Sequence, residues 1–278
     1  MIKERLAALR KQMKELSMDA YYIPTADFHE SEYVCEYFTC RKYMSGFTGS
    51  AGVMVVTMDH AGLWTDGRYF IQAENQLKDT TVTLYRMGQE GVPTVTEFLQ
   101  GVLQEGMCLG FDGRVVNSLY ANQLKEALPG VNFAITDDVV GKIWTDRPGL
   151  PDGEVYILEE KWSGESCASK LNRGREEMKN RQAEYHVLTT LDDICWVLNV
   201  RGTDSVASPV VLSYALIGMD TMTWYVNEKK VPASVREALA KDGVEIRPYN
   251  DIYEDMKTIT ETVLYDPKKV NYALSALI

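Results

Sequence analysis

Apolar residues at Ile2, Leu6, Leu9, Met13 and Leu16 recur at spacings of four, three, four and three. That stripe lies on one face of a helix. Ala20-Tyr21-Tyr22-Ile23 follows, apolar or aromatic throughout and stopped by Pro24, which predicts a short buried strand. The next apolar run is Val53 to Val56. A turn around Asp59 and Gly62 leads from it into Leu63-Trp64-Thr65. Two strands joined so tightly must be antiparallel. Further along, the pattern predicts helices over 94–103 and 119–128, then a Pro129-Gly130 turn and a strand over 131–135.

The opening pattern returns. At a shift of 165 positions Leu6 meets Leu171, Arg10 meets Arg175, Met13 meets Met178 and Tyr22-Ile23 meets Val187-Leu188. Later landmarks keep their order: Leu63-Trp64 with Thr223-Trp224, helix 94–103 with helix 233–239, Phe111-Asp112 with Tyr265-Asp266, and Tyr120-Ala121 with Tyr272-Ala273. Each unit reads as helix, strand, helix, strand pair, helix, strand, helix. This is an α/β class with a mixed sheet flanked by helices. Two prolines and a glycine in Asp146-Arg147-Pro148-Gly149-Leu150-Pro151 set the expected boundary, giving domains 1–147 and 148–278. Tyr272 lies 152 residues after Tyr120, which maps Ile278 onto position 126, inside the helix of the first unit. The second unit thus stops before a counterpart of the last strand, and the expectation is a fragment of a longer protein.

Composition narrows the function. A formal charge of −11 disfavours a nucleic-acid partner, which needs a basic face. The start, Met1-Ile2-Lys3-Glu4-Arg5, lacks the apolar core of a signal peptide. The apolar-leaning stretch 206–219 is broken by Pro209, Ser213 and Gly218 and is too short for a bilayer. The five cysteines, at 35, 40, 108, 167 and 195, form no Cys-x-x-Cys pair. They read as idle thiols in a reducing, cytoplasmic setting, with a Cys35–Cys40 bridge as the minor alternative.

Chemistry concentrates in one stretch, Ser45 to Phe70. Gly46, Gly49 and Gly52 stand three apart, and Asp66-Gly67 sets Arg68 and Tyr69 at the start of a helix-like segment. Glycines allow close backbone approach, and Arg68 carries five fixed donors on a long stem just past a strand end. The glycines do not make a phosphate loop, because no Gly-Lys-Ser/Thr follows. Ser50 has no base partner evident in sequence, so no nucleophile is placed. The three histidines, His29, His60 and His186, form no zinc motif. Asp27 and His29 could face one way like ligands. The favoured local reading is a helix over 28–38 whose capping box is Asp27 with Glu30. Asp27, Asp66 and Asp112, each just beyond a strand, could together hold two cations, but Asp-Gly at 66–67 and 112–113 is ordinary turn chemistry. Trp144, Trp196 and Trp224 read as core. Trp64 is set apart, because it precedes the turn that bears Arg68.

Several of these pieces resemble one family. They are Ala20-Tyr-Tyr-Ile-Pro24, Asp27-Phe-His-Glu-Ser-Glu-Tyr33, Ser45-Gly-Phe-Thr-Gly-Ser-Ala-Gly52 and Leu63-Trp-Thr-Asp-Gly-Arg-Tyr-Phe70. Lys142-Ile-Trp-Thr-Asp-Arg-Pro148, Thr190-Leu-Asp-Asp-Ile-Cys-Trp196, Leu198-Asn-Val-Arg-Gly202 and Ser213-Tyr-Ala-Leu-Ile-Gly218 continue the series. In this order they resemble the N-terminal part of the three-domain Xaa-Pro aminopeptidases, of the creatinase/prolidase pita-bread metallopeptidases. The resemblance implies two creatinase-N-like domains of ribonuclease-H-like topology ahead of a pita-bread catalytic domain that this chain lacks. That absent domain would hold two divalent metal ions, usually manganese, and would be the chain's own partner. The implied substrate is a peptide with proline at its second position, and a homodimer is a further implied partner. No catalytic residue and no metal ligand carries over. Arg68 alone does, as a peptide-binding arginine. The local alternative is that Arg68 merely pairs with Asp66. The competing functional reading is a free-standing peptide- or protein-binding module.

Overall fold

The computed structural model describes residues 1–136 and 138–278. Contacts divide the chain into two units. Unit 1 comprises Met1–Asp27 and Glu36–Gly149, and unit 2 comprises Phe28–Cys35 and Leu150–Ile278.

Unit 1 contains helices α1 (Ile2–Glu15), α2 (Cys40–Ser45), α3 (Phe70–Leu77), α4 (Val95–Val102), α5 (Ser118–Ala127) and α6 (Val139–Ile143). Its strands are β1 (Ala20–Ile23), β2 (Val53–Thr57), β3 (Ala61–Thr65), β4 (Thr83–Arg86), β5 (Cys108–Asp112) and β6 (Asn132–Thr136). They form one mixed sheet in the order β4-β3-β2-β1-β5-β6. The hairpin β2–β3 is antiparallel, as its tight turn requires, while β1–β5, β3–β4 and β5–β6 are parallel. Side chains alternate between the two faces. Tyr21, Ile23, Met54, Val56 and Leu63 join the α1 stripe Leu6, Leu9 and Met13 in one core cluster, with Ala73 and Leu77 of α3 and Val139 and Val140 of α6. On the opposite face Tyr22 meets Tyr120 of α5, and Trp64 meets Phe98 of α4. Helices therefore cover both faces, which is why the strands read as unbroken apolar runs.

Unit 2 continues with α7 (Glu160–Ser163), α8 (Cys167–Asn180), α9 (Leu191–Leu198), α10 (Ala233–Lys241), α11 (Asp251–Met256) and α12 (Tyr272–Ser275). Its strands are β7 (Tyr156–Ile157), β8 (Tyr185–Leu188), β9 (Val200–Arg201), β10 (Ser213–Gly218), β11 (Met222–Val226), β12 (Val244–Pro248) and β13 (Val263–Leu264). Five of them form a sheet in the order β12-β11-β10-β8-β13, and β7 pairs with β9 apart from it.

The two sheets match strand for strand, with no partner for β6 among the described residues of unit 2. α1 and α8 are both 14 residues long, and each runs into a four-residue strand. Ser17 and Gln182, which follow those helices, share the left-handed conformation, with φ of 55° and 54°. Arg10 and Arg175 do the same work. Arg10 donates from Nε to the Thr57 carbonyl at 2.9 Å and from Nη2 to the His60 carbonyl at 3.0 Å, holding the β2–β3 turn to α1. Arg175 donates to Gly218 and Thr221, both at 3.1 Å, across the β10–β11 turn. A carbonyl pair at a hairpin end needs a forked donor, so arginine stands at both positions.

The helix expected over 28–38 does not form. Only a 3-10 turn at Glu36–Phe38 is present. Phe28–Cys35 instead belongs to unit 2, where buried His29 donates from Nδ1 to the Thr189 carbonyl at 2.9 Å and meets the Tyr249 hydroxyl with Nε2 at 2.6 Å. Asn271 donates to the Phe28 carbonyl at 3.1 Å. These distant partners override the local capping signal.

Candidate functional site

The turn after β3 is built by Asp66. Its Oδ1 accepts the Arg68 backbone N–H at 3.0 Å, an Asx-type turn. The same carboxylate takes the guanidinium in parallel, Nε on Oδ1 at 2.9 Å and Nη2 on Oδ2 at 2.8 Å. These hydrogen bonds from Arg68 hold the Asp66 carboxyl down to about 2. Arg68 remains 69% exposed at its side chain. The local pairing and the outward presentation therefore coexist in one residue.

Tyr69 links this turn to the glycine loop. Its hydroxyl lies 2.6 Å from Ser50 Oγ, its ring meets Phe47 edge-on at 5.9 Å, and the Arg68 guanidinium lies 5.3 Å from the ring centre. Gly49 and Gly52 have a steric reason. A Cβ at Gly49 would sit 2.8 Å from the Tyr69 ring, and one at Gly52 would sit 2.9 Å from the Trp64 carbonyl. Gly46 has another reason: it ends α2 at φ +78°.

The structure does not bring Asp27, Asp66 and Asp112 together as a cation cluster. Asp66 is occupied by Arg68. Asp112 is buried, accepts from the Arg114 backbone at 2.9 Å, and is pushed up to about 6, chiefly by burial. Among the described residues no group of three or more His, Cys, Asp or Glu could hold a metal ion. No metal chemistry is assigned to them. All five cysteines are free thiols.

Two tryptophan expectations are corrected. Trp64 is fully buried. It stacks on Tyr85 at 4.1 Å and 3°, and its Nε1 donates to the Pro93 carbonyl at 2.8 Å. It belongs to the face opposite the α1 core rather than to an exposed turn. Trp196 is 43% exposed, with Lys170 Nζ lying 4.4 Å from its ring centre. That is a cation–π contact between the half-exposed ring and a buried lysine.

Arg41 and Lys230 are buried cations that went unnoticed in the sequence. Arg41 is only 5% exposed and donates to three neutral oxygens, on Thr25, Phe47 and Gly49. Lys230 forms a buried ion pair with Asp204. Nothing in Thr39-Cys-Arg-Lys42 or Asn227-Glu-Lys-Lys230 separates these from solvated charges, because their partners lie elsewhere in the chain.

Residues 5–143 match one family model described as a creatinase/prolidase N-terminal domain, and residues 146–278 match a second of the same description. Aminopeptidase P2 of Arabidopsis thaliana is 38% identical over 98% of this chain and 40% of its own length. A probable Xaa-Pro aminopeptidase P of Neurospora crassa is 40% identical over 92% of this chain and 38% of its own. The crystal structure of the X-prolyl aminopeptidase from Caenorhabditis elegans, described as a cytosolic enzyme with a di-nuclear active site, superposes with a TM-score of 0.94 at 32% identity. It covers 100% of this chain and 48% of that one. The chain thus spans less than half the length of these relatives. With both of its halves matched by the same domain description, the chain belongs to the creatinase/prolidase N-terminal domain family.

Proposed function

We propose that this chain serves as the non-catalytic N-terminal region of a cytoplasmic, metal-dependent Xaa-Pro aminopeptidase, and that Arg68 is its contact with the peptide. The single supporting observation is the exposed guanidinium held in plane by Asp66 just past the end of β3. A guanidinium can clamp a peptide carbonyl or carboxylate without competing for a metal ion. The Asp66 pair keeps the fork oriented. Because exposed pairs of this kind are worth only about 0–1 kcal/mol, exchanging one carboxylate oxygen for a substrate oxygen costs little. A residue supplied from outside the catalytic domain also walls the cleft and limits substrate length. In this reading two divalent metal ions, manganese for preference, would be held by a further catalytic domain and would supply Lewis acidity there, while residues of this chain bind and orient the peptide.

Hydrolysis of an Xaa-Pro-Xaa peptide by the full-length aminopeptidase tests it, wild type against Arg68→Ala. The expected loss in kcat/KM corresponds to about 1.5–3 kcal/mol, as suits one charged hydrogen bond. An unchanged kcat/KM overturns the role of Arg68. Metal-dependent release of the first residue by purified 1–278 overturns the non-catalytic assignment.

A further inference from the structure

Arg41 is a buried cation with no carboxylate paired to it among the described residues. Nε donates to Thr25 Oγ1 at 2.7 Å, Nη1 to the Phe47 carbonyl at 3.1 Å, and Nη2 to the Gly49 carbonyl. Burial pulls its guanidinium down to about 10. Burying a cation against neutral oxygens is costly, and an apolar residue of similar length would serve plain packing better. What the fork alone supplies is geometry, since its fixed donors reach three separate pieces of chain at once.

Those pieces converge on the loop that faces the Arg68 turn. Thr25, held by Arg41, donates in turn to the Gly52 carbonyl at 2.7 Å. Ala51 accepts from Thr65 Oγ1 at 2.7 Å, and Ser50 meets Tyr69 at 2.6 Å. Thr48 is fastened to Gln72 and Gln76 of α3, the helix that follows Arg68, at 2.8–2.9 Å. Every residue from Phe47 to Gly52 is therefore tied, either back to Arg41 and Thr25 or forward to the segment carrying Arg68.

We propose that Arg41 is a positioning residue for Arg68, setting the Phe47–Gly52 loop so that Ser50 and Ala51 fix the Thr65–Tyr69 turn. The proposal rests on the reading of Arg68 as the peptide contact. Lysine at position 41 keeps the charge, but a single ammonium cannot reach all three acceptors.

The test is a double-mutant cycle in the full-length aminopeptidase with Arg41→Lys and Arg68→Ala, read as kcat/KM on an Xaa-Pro-Xaa peptide with Tm measured alongside. Arg41→Lys is expected to lower kcat/KM about tenfold in the wild-type background, as a small misplacement can. In the Arg68→Ala background it should lower it less than about twofold, because coupled residues are not additive. Its effect on Tm should be equal in both. An equal loss of kcat/KM in both backgrounds, or none in either, overturns the proposal. Hydrogen exchange at the Tyr69 amide of 1–278 reads the coupling without activity; that amide donates to the Asp66 carbonyl at 3.0 Å. It should exchange faster in Arg41→Lys, and an unchanged rate overturns the proposal. If Arg68→Ala leaves kcat/KM untouched, the peptide-contact reading falls, and exchange at Tyr69 then decides the positioning link on its own.

Discussion

Asp66 grips Arg68 through both of its oxygens, at 2.9 Å and 2.8 Å, within a turn that the same carboxylate also closes. Asp66→Asn keeps an oxygen for the turn and removes the charge. Both partners are substantially exposed, so the pair should be worth less than about 1 kcal/mol, and Tm at pH 7 should fall by no more than about 4 °C. The folded-state pKa lies below the unfolded one, so this contribution is present above about pH 4 and fades as pH falls towards 2. The Tm difference between wild type and variant should therefore vanish near pH 2. A larger loss at pH 7 would show that the pair is a structural clamp rather than an oriented, exchangeable one.

Asp112 behaves in the opposite sense. Burial raises its carboxyl to about 6, above the unfolded value near 4. Between those values the folded chain holds a proton that the unfolded chain has released, so stability falls as pH rises through this window. Asp112→Asn preserves the acceptor for the Arg114 backbone and should flatten the profile. Urea unfolding at pH 4.5 and 7 should show the variant gaining on wild type by on the order of 2 kcal/mol across that interval. Parallel profiles would refute it.

Lys230 and Asp204 are 1% and 0% exposed at their side chains. Asp204 Oδ2 accepts from Lys230 and from the Leu212 N–H, while Oδ1 has no partner among the described residues. Lys230→Met strands a buried carboxylate and should destabilise unit 2 by about 3–5 kcal/mol. Adding Asp204→Asn removes that charge, keeps an acceptor for Leu212 and should recover most of the loss. A double variant as unstable as the single one would mean that the pair acts through packing instead of charge.

Gly62 lies beneath the Trp64–Tyr85 stack. A Cβ there would sit 2.6 Å from Trp64 Cζ3 and 2.7 Å from Tyr85 Cε2. Gly62→Ala should cost about 1–3 kcal/mol and change the near-ultraviolet dichroism as the rings part. Gly101, exposed in α4 with nothing within 4 Å, is the control. Gly101→Ala should stabilise by up to about 1 kcal/mol through helix propensity alone. Equal effects at the two sites would contradict the packing argument.

Local chemistry was what the sequence made legible. The α1 stripe, the strand at Ala20–Ile23, the tight β2–β3 pair and the Asp-Gly turn before Arg68 all depend on neighbours within a few residues. The repeat extended that reach, since the Arg10–Arg175 correspondence marks the same hairpin clasp in both units. Legibility ended where partners are distant. Asp27 and Glu30 advertise a helix start, yet His29 is claimed by Thr189 and Tyr249. Trp64 precedes an exposed turn, but a strand buried on both faces takes its ring inward. Arg41 looks like any surface arginine until Phe47, Gly49 and Thr25 surround it.

The Phe28–Cys35 segment makes order of synthesis matter. It leaves the ribosome with unit 1, yet its hydrogen-bonding partners Thr189 and Asn271 lie 160 and 243 residues further along. Closing loops that long carries an entropic penalty and slows folding. A fragment cut between Arg147 and Pro148 would leave unit 2 with an open slot where His29 belongs. Unit 2 is thus a domain in space but not in sequence, and its first piece, Phe28–Cys35, waits for the later chain that completes it.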